Sequence, residues 1–160
     1  MTVRKGDAGF TDSLARQNIS KADPRIIALA HLDCLNAELG AAKLACPALA
    51  ARLEGLQNIL IEVMGIISGT GKTLAAAHTA ALEERIAALK AATPPLTKFI
   101  LPGMSPADAA LHRARASARL AETACVAAAA PQETLAFINR LSLYLFMEAY
   151  SLSARPAKPV

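Results

Sequence analysis

Tryptophan is absent from the 160 residues, and phenylalanine and tyrosine together make up only 4% of them. Single-stranded nucleic acid is bound on aromatic faces set among cations. Here the basic residues are scattered, so a net charge of +4 points to an anionic partner, with nucleic acid the weaker candidate. Cysteine is sparse: Cys34, Cys46 and Cys125 are odd in number and far apart, which argues against a disulfide framework and for reduced thiols in a cytoplasm-like compartment. His31 and Cys34 lie three apart with no second pair of ligands nearby, so no metal site is expected. β-branched runs and hairpin turn pairs are scarce. No apolar stretch is long enough for a bilayer, since the run 59–67 is short and carries Glu62. The first residues, with Arg4, Lys5, Asp7 and two glycines, lack the apolar segment of a signal peptide. The expected setting is therefore cytoplasmic, without membrane partners.

What is abundant is alanine and leucine, in a chain that is 54% hydrophobic. A chain of this length reads as one helical domain, 1–160, able to bury a real core. Residues 1–22 are polar, glycine-bearing and unperiodic, and read as a loop. Within it, 3–11 sets two glycines among basic and hydroxyl side chains, a composition that suits either a phosphate cradle or a loose terminal tail. Asp23-Pro24 then opens a helix as cap and first turn, with Ile27, Leu32, Leu35 and Leu39 as its stripe and Pro47 as its stop. A second helix from about Pro47 to Ile67 has Leu53, Leu56, Leu60 and Met64 inward. Gly69-Thr70-Gly71-Lys72-Thr73 looks like the end of a P-loop, but Ile66 stands where the first glycine is needed and a helix precedes it, so it reads as an inter-helix loop. A third helix, 74–91, turns Leu82, Ile86 and Leu89 inward. A fifth, from Pro131 to about Leu152, turns Leu135, Ile138, Leu141 and Leu145 inward and is interrupted by Asn139, Arg140 and Ser142. The tail 153–160 reads as frayed.

Between them, Ser105 to Cys125 reads as a fourth helix, with Ser105 as N-cap, Pro106 at the first position and Asp108 completing an S-x-x-D box. His112, Arg115, Arg119 and Glu122 follow at spacings of three, four and three, which places them on one face. That face is not expected to be core, and it is either a solvated stripe or a set of charges satisfied by a ligand. Opposite it, Ala110, Leu111, Ala114, Ala118 and Ala121 suit close helix packing. Asp33 and Asn36, mid-helix on the first helix, call for a cation such as Arg115 or Arg119. The link 96–104 is apolar, which predicts a loop that is buried or touches a ligand. The physical reading is an up-and-down bundle of about five helices with polar groups converging from the first, fourth and fifth.

Several of these pieces, in this order, resemble the PduO-type ATP:cob(I)alamin adenosyltransferases over nearly the whole chain. The T-[RK]-x-G-D-x-G-x-T loop is matched by Val3 to Thr11, and K-x-D-x-R by Lys21, Asp23 and Arg25. D-E-L-N is matched by Asp33 to Asn36, F-I-L-P-G-G by Phe99 to Met104, L-H-x-A-R-x-x-x-R-R-A-E by Leu111 to Glu122, and N-R-L-S-D by Asn139 to Leu143. Six such matches in order are specific where any one is weak.

The resemblance implies a trimeric five-helix bundle with active sites between subunits, using ATP, Mg²⁺ and cobalamin as substrate. The reaction it implies moves the 5′-deoxyadenosyl group of ATP to cob(I)alamin and releases tripolyphosphate. By motif position, Arg4, Gly6, Asp7, Gly9, Thr11, Lys21 and Arg25 would hold the phosphates. Arg119, Glu122 and Asn139 would contact ATP, and Asp33, Asn36, Phe99 and Arg115 would meet cobalamin. Asp33 with Arg115 matches a salt bridge near the corrin, and Phe99 the residue that displaces the lower axial base. Arg119, Asp33, Arg115 and Phe99 would carry catalysis. The resemblance admits an adenosylcobalamin-dependent enzyme or a cobalamin reductase as protein partner. The chain departs from the pattern at Val3, Cys34, Met104, Leu120 and Leu143. These departures keep open a second reading, a paralogue that binds cobalamin or nucleotide without turnover, as a carrier or sensor.

Overall fold

The structure, a computed structural model, describes residues 6–97 and 99–153. Five helices follow a short β-hairpin: β1 (Phe10–Thr11), β2 (Ile19–Ser20), α1 (Pro24–Ala45), α2 (Ala50–Ile67), α3 (Ala76–Ala92), α4 (Pro106–Ala127) and α5 (Gln132–Ser153), with a 3₁₀ turn over Pro47–Leu49. The helix boundaries follow the sequence signals. The Asp23 carboxylate accepts from the Arg25 amide ahead of Pro24, and the Ser105 hydroxyl accepts from the Asp108 amide ahead of Pro106. Side-chain caps of this kind satisfy donors that the first turn leaves open.

The segment read as a plain loop contains the two-residue antiparallel pair, with Phe10 opposite Ser20 and Thr11 opposite Ile19. Its tip is closed by polar side chains rather than by periodicity. Asp12 accepts from the Asn18 amide at 3.0 Å, with Asn18 in the left-handed region at φ 53°. Ser13 and Arg16 close the turn inside it. The hairpin touches the α2–α3 loop: a Cβ on Gly69, which sits at φ +94°, would come 2.6 Å from the Ala15 methyl.

In space α1 packs against α2 and α4, and α5 packs against α4 and α3. The core holds Leu32, Leu35 and Leu39 of α1, Leu53, Leu56, Leu60 and Val63 of α2, Leu82 and Ile86 of α3, and Phe137, Ile138, Leu141, Tyr144 and Leu145 of α5. Ile27, placed by spacing on the α1 stripe, is instead exposed: it stands five residues before Leu32, about 140° round the helix, and Ala28, one full turn before Leu32, fills the buried position. α4 lies between α1 and α5. Its small face, Leu111, Ala114, Ala118 and Ala121, is wholly buried, so two helices approach it at once. No helix among the described residues is long and apolar enough to cross a membrane.

Filling this seam should be resisted. Ala118→Leu adds three heavy atoms where none is accommodated, at a cost of about 1–3 kcal/mol. Thermal denaturation should show Tm falling by several degrees; an unchanged Tm would mean the α4 contacts have slack.

Candidate functional site

Contacts between α1 and α4 set their relative direction and register. Arg113 donates to Glu38 at 2.7 Å, and the Cys34 thiol lies 4.0 Å from the Ser117 hydroxyl. Residue numbers therefore rise along α1 as they fall along α4, and Arg115 stands abreast of Asn36. Both carry buried polar atoms without partners, Arg115 Nε and Asn36 Oδ1. Asp33 lies one level further along and is exposed. No ion pair joins it to Arg115 among the described residues.

Beyond Arg115 the α4 face opens. Arg115, Arg119, Leu120 and Thr123 line an open concavity of about 400 Å³. One turn further, the Glu122 carboxylate accepts from the Asn139 amide at 2.9 Å. Asn139 in turn accepts from Arg140, which also holds Glu83 of α3 at 2.8 Å. This polar chain from α4 through α5 to α3 fixes Asn139 in one orientation. Arg140 and Glu83 are positioning residues that motif position alone did not single out, although Arg140 lies within the quoted motif.

The face expected to lie wholly outside the core begins inside it. His112 is only 5% exposed, because the last turns of α5 cover the start of α4. It meets Phe146 edge to face at 6.2 Å and lies 3.5 Å from the Asp108 carboxylate. Burial holds the imidazole below the ordinary histidine range; Asp108 opposes the shift and Arg115 adds to it. Asp108 itself is fully buried and does far more than cap. Its carboxylate accepts from the Gly103 and Met104 amides at 2.7 and 3.1 Å and from the Ser153 hydroxyl at 3.0 Å. One anion thus joins the 96–104 link, the start of α4 and the end of α5. Its S-x-x-D position was legible in the sequence; the role of anchoring the loop was not.

The described residues of the apolar link are mostly exposed rather than buried. Phe99 is fully exposed, and Leu101 and Met104 are 81% and 73% exposed. Gly103 has φ +108° whereas Met104 does not occupy that region, so only the first glycine of the P-G-G pattern is demanded by the backbone. The loop's anchor at Asp108 lies fourteen residues from Glu122, about 21 Å along α4. Phe99 and the Glu122–Asn139 pair therefore stand toward opposite ends of the bundle.

The remaining candidates occupy the end near Glu122. Lys21 donates to the Gly6 carbonyl at 2.9 Å, which latches the start of the hairpin. Gly6 and Thr11 line a shallow concavity with Phe10 and Asp12, flanked in sequence by Asp7 and Gly9. Arg25 faces Gly69, Gly71 and Lys72 of the α2–α3 loop and the turn before α5, around a concavity of about 330 Å³. Arg4 and Val3 lie outside the described residues. Of the other departures, Cys34 is exposed beside Ser117, Leu120 is 58% exposed in the Arg115–Arg119 concavity, and Leu143 is half-buried against the core. One chain thus presents two partial sites: a polar end with Arg25, Arg119, Glu122 and Asn139, and an apolar loop.

A family model described as cobalamin adenosyltransferase matches residues 1–152. The corrinoid adenosyltransferase PduO of Citrobacter freundii is 36% identical over 157 residues, which cover 90% of this chain and 47% of that protein. The chain thus spans about half the length of the PduO relatives it matches. The cobalamin adenosyltransferase of Cupriavidus metallidurans is 36% identical over 162 residues, covering 96% of this chain and 88% of the relative. A variant PduO-type ATP:corrinoid adenosyltransferase from Lactobacillus reuteri, solved with cobalamin and ATP, superposes with a TM-score of 0.85 at 30% identity, over 95% of this chain and 90% of the other.

Two outcomes follow from the buried polar groups. Asp108→Ala leaves two loop amides and a hydroxyl without their charged acceptor, a loss of about 3 kcal/mol; limited proteolysis should then cut within 96–104 faster than in the parent, and equal cutting would remove the anchoring role. For His112, the folded value is depressed, so the unfolded chain binds the proton more tightly. Its contribution to stability is complete above the ordinary histidine pKa of about 6.5 and is lost as pH falls through the folded value. Tm should fall on acidification below about pH 6.5, and His112→Gln should flatten that slope.

Proposed function

The chain belongs to the cobalamin adenosyltransferase family, and on that footing we propose that it transfers the 5′-deoxyadenosyl group of ATP to cob(I)alamin, releasing tripolyphosphate. The proposed working form is a cytoplasmic homotrimer, with each site assembled between neighbouring subunits. Its product passes to an adenosylcobalamin-dependent enzyme, and its Co(I) substrate comes from a cobalamin reductase.

The observation that carries the reading is the level of Arg115 and Asn36. There a guanidinium Nε and an amide oxygen are buried without partners, beside an open concavity rimmed by Arg119. A buried polar atom left unpaired costs about 1–3 kcal/mol, so the arrangement favours a polar ligand laid across α4. The separation of the polar end from the apolar loop supports completion by a second subunit, whose loop would face the polar end of the first.

The chemistry requires little from the side chains beyond position and charge. Cob(I)alamin is itself the nucleophile. A cobalt–carbon bond forms at the ribose C5′, the C5′–oxygen bond breaks, and tripolyphosphate leaves with the electron pair while cobalt passes from Co(I) to Co(III). Arg25, Lys21 and the Gly6–Thr11 hairpin hold the phosphates, and Arg4 extends that set. Arg119, Glu122 and Asn139 hold the nucleotide, with Asn139 fixed by Arg140. Alignment of the reacting atoms and stabilisation of charge on the leaving group are the expected sources of rate. Phe99, Asp33, Asn36 and Arg115 receive the corrinoid, with Phe99 excluding the lower axial base. Among the described residues no group of three or more His, Cys, Asp or Glu side chains could hold a metal. Mg²⁺ would arrive on the triphosphate, since it commonly takes only one or two carboxylates from protein. When bound it neutralises charge on the phosphates.

An anaerobic optical assay with purified protein, cob(I)alamin, MgCl₂ and ATP tests the proposal. The cob(I)alamin band should give way to a photolabile adenosylcobalamin spectrum only when ATP is present. Asn139→Ala should raise the KM for ATP by about tenfold, the equivalent of about 1.4 kcal/mol, and leave the KM for corrinoid nearly unchanged. Corrinoid binding without turnover would instead identify a binding descendant of the family.

A further inference from the structure

On the side of the bundle away from Arg115 and Arg119, α2 and α3 stand apart across Tyr144 of α5. Between them lies a cavity of about 340 Å³, open on one side, that the proposed reaction does not use. Ligand pockets run from about 300 to 1,000 Å³, so this one has room for a compact organic molecule. Its walls are apolar, with Leu56 and Ile59 from α2 and Leu82 from α3. Its rim is cationic: Arg52 and Arg85 stand on opposite walls. Arg85 makes no ion pair among the described residues, and Arg52 reaches Glu148 only at 3.6 Å.

Two further observations set this cavity apart from a packing defect. The Tyr144 side chain, which closes the cavity on the α5 side, is 1% exposed, and its hydroxyl lies against the Glu148 carboxylate and the Arg52 guanidinium, tying the cavity floor to its cationic rim. Burial, reinforced by the Glu148 charge, pushes the Tyr144 hydroxyl well above the ordinary tyrosine range, which keeps it protonated and able to donate. The second observation is Gly55, in the interior of α2 and on the cavity wall. A Cβ at Gly55 would meet nothing within 4 Å. Glycine is among the least favourable residues inside a helix, and neither a close approach nor a positive φ requires it here. What it does is leave the cavity its volume.

We propose that the α2–α3–α5 cavity binds a small organic anion with an apolar body, which lies against Leu56 and Leu82 with its charged end between Arg52 and Arg85. The site is separate from the nucleotide and corrinoid residues, and occupancy there is independent of catalysis at the α4 face.

Anilinonaphthalene sulfonate, an apolar aromatic anion whose fluorescence rises on leaving water, probes the cavity in the full chain. It should bind saturably, at one site per chain, and remain bound when ATP and hydroxocobalamin are added. Gly55→Leu should weaken it at least tenfold while Tm stays level or rises, because the substitution fills the cavity and favours the helix. Arg85→Gln should weaken the sulfonate severalfold yet leave the uncharged analogue phenylnaphthylamine unchanged, a readout that does not depend on how Gly55→Leu folds. Displacement of the probe by ATP or hydroxocobalamin, unchanged binding in Gly55→Leu, equal effects of Arg85→Gln on both probes, or no saturable binding would each overturn the proposal.

Discussion

The close packing of α4 between α1 and α5 is the constraint on which the rest of the bundle depends. Only small side chains allow two neighbours to approach one helix on adjacent faces, and Ala114, Ala118 and Ala121 supply them, all fully buried. Once that face is fixed inward, the 3.6-residue period sets Arg115, Arg119 and Glu122, each one residue past a buried alanine, about 100° round on its flank. The charges that characterise the candidate site are thus presented by the same packing that makes the core. Their exposure varies along the helix: the last turns of α5 bury His112, Arg115 and Glu122 are half-buried, and Arg119 is exposed.

Where α5 covers α4, a buried carboxylate takes over from packing. Asp108 accepts two loop amides and one hydroxyl, enough to stabilise an anion taken fully out of water. Through it an exposed, apolar loop acquires a fixed base. Leu101, Met104 and Phe99 show their side chains to solvent while the backbone beneath Met104 is held. Large apolar groups held in that way mark a surface suited to contact with another body, which is the basis for proposing a site between subunits. At the other end of α4, the sequence Glu122–Asn139–Arg140–Glu83 ties three helices by hydrogen bonds rather than by packing.

Much of the site could be read from residue order because its chemistry is carried by short local patterns. The Asp23-Pro24 and Ser105-Pro106 caps fixed the starts of α1 and α4, and the spacing of Arg115, Arg119 and Glu122 placed them on one face. What spacing could not supply was which face a neighbour would cover. His112 shares the period of Arg115 and is nevertheless in the core, and the buried position one turn before Leu32 falls to Ala28 rather than to the larger Ile27. Nor could composition tell an apolar loop that is buried from one held in solvent, since Phe99 and Leu101 read alike in both cases. The hairpin in 6–20 escaped because two-residue strands have no period, only the turn chemistry of Asp12 and Asn18.

The sequence by itself determined the number, order and approximate boundaries of the helices, the family, and which polar groups are candidates for the proposed site. Local rules suffice for those: caps, prolines, apolar periods and motif order are all properties of neighbouring residues. Only the tertiary structure decided which partners those groups find. That Arg115 stands beside Asn36 rather than bridging to Asp33, that Asp108 holds a loop, that Asn139 is braced by Arg140, and that a cavity opens beside Gly55 all depend on the register between helices far apart in the chain. That register is set by how side-chain volumes fit across α1, α4 and α5, and no single segment contains it.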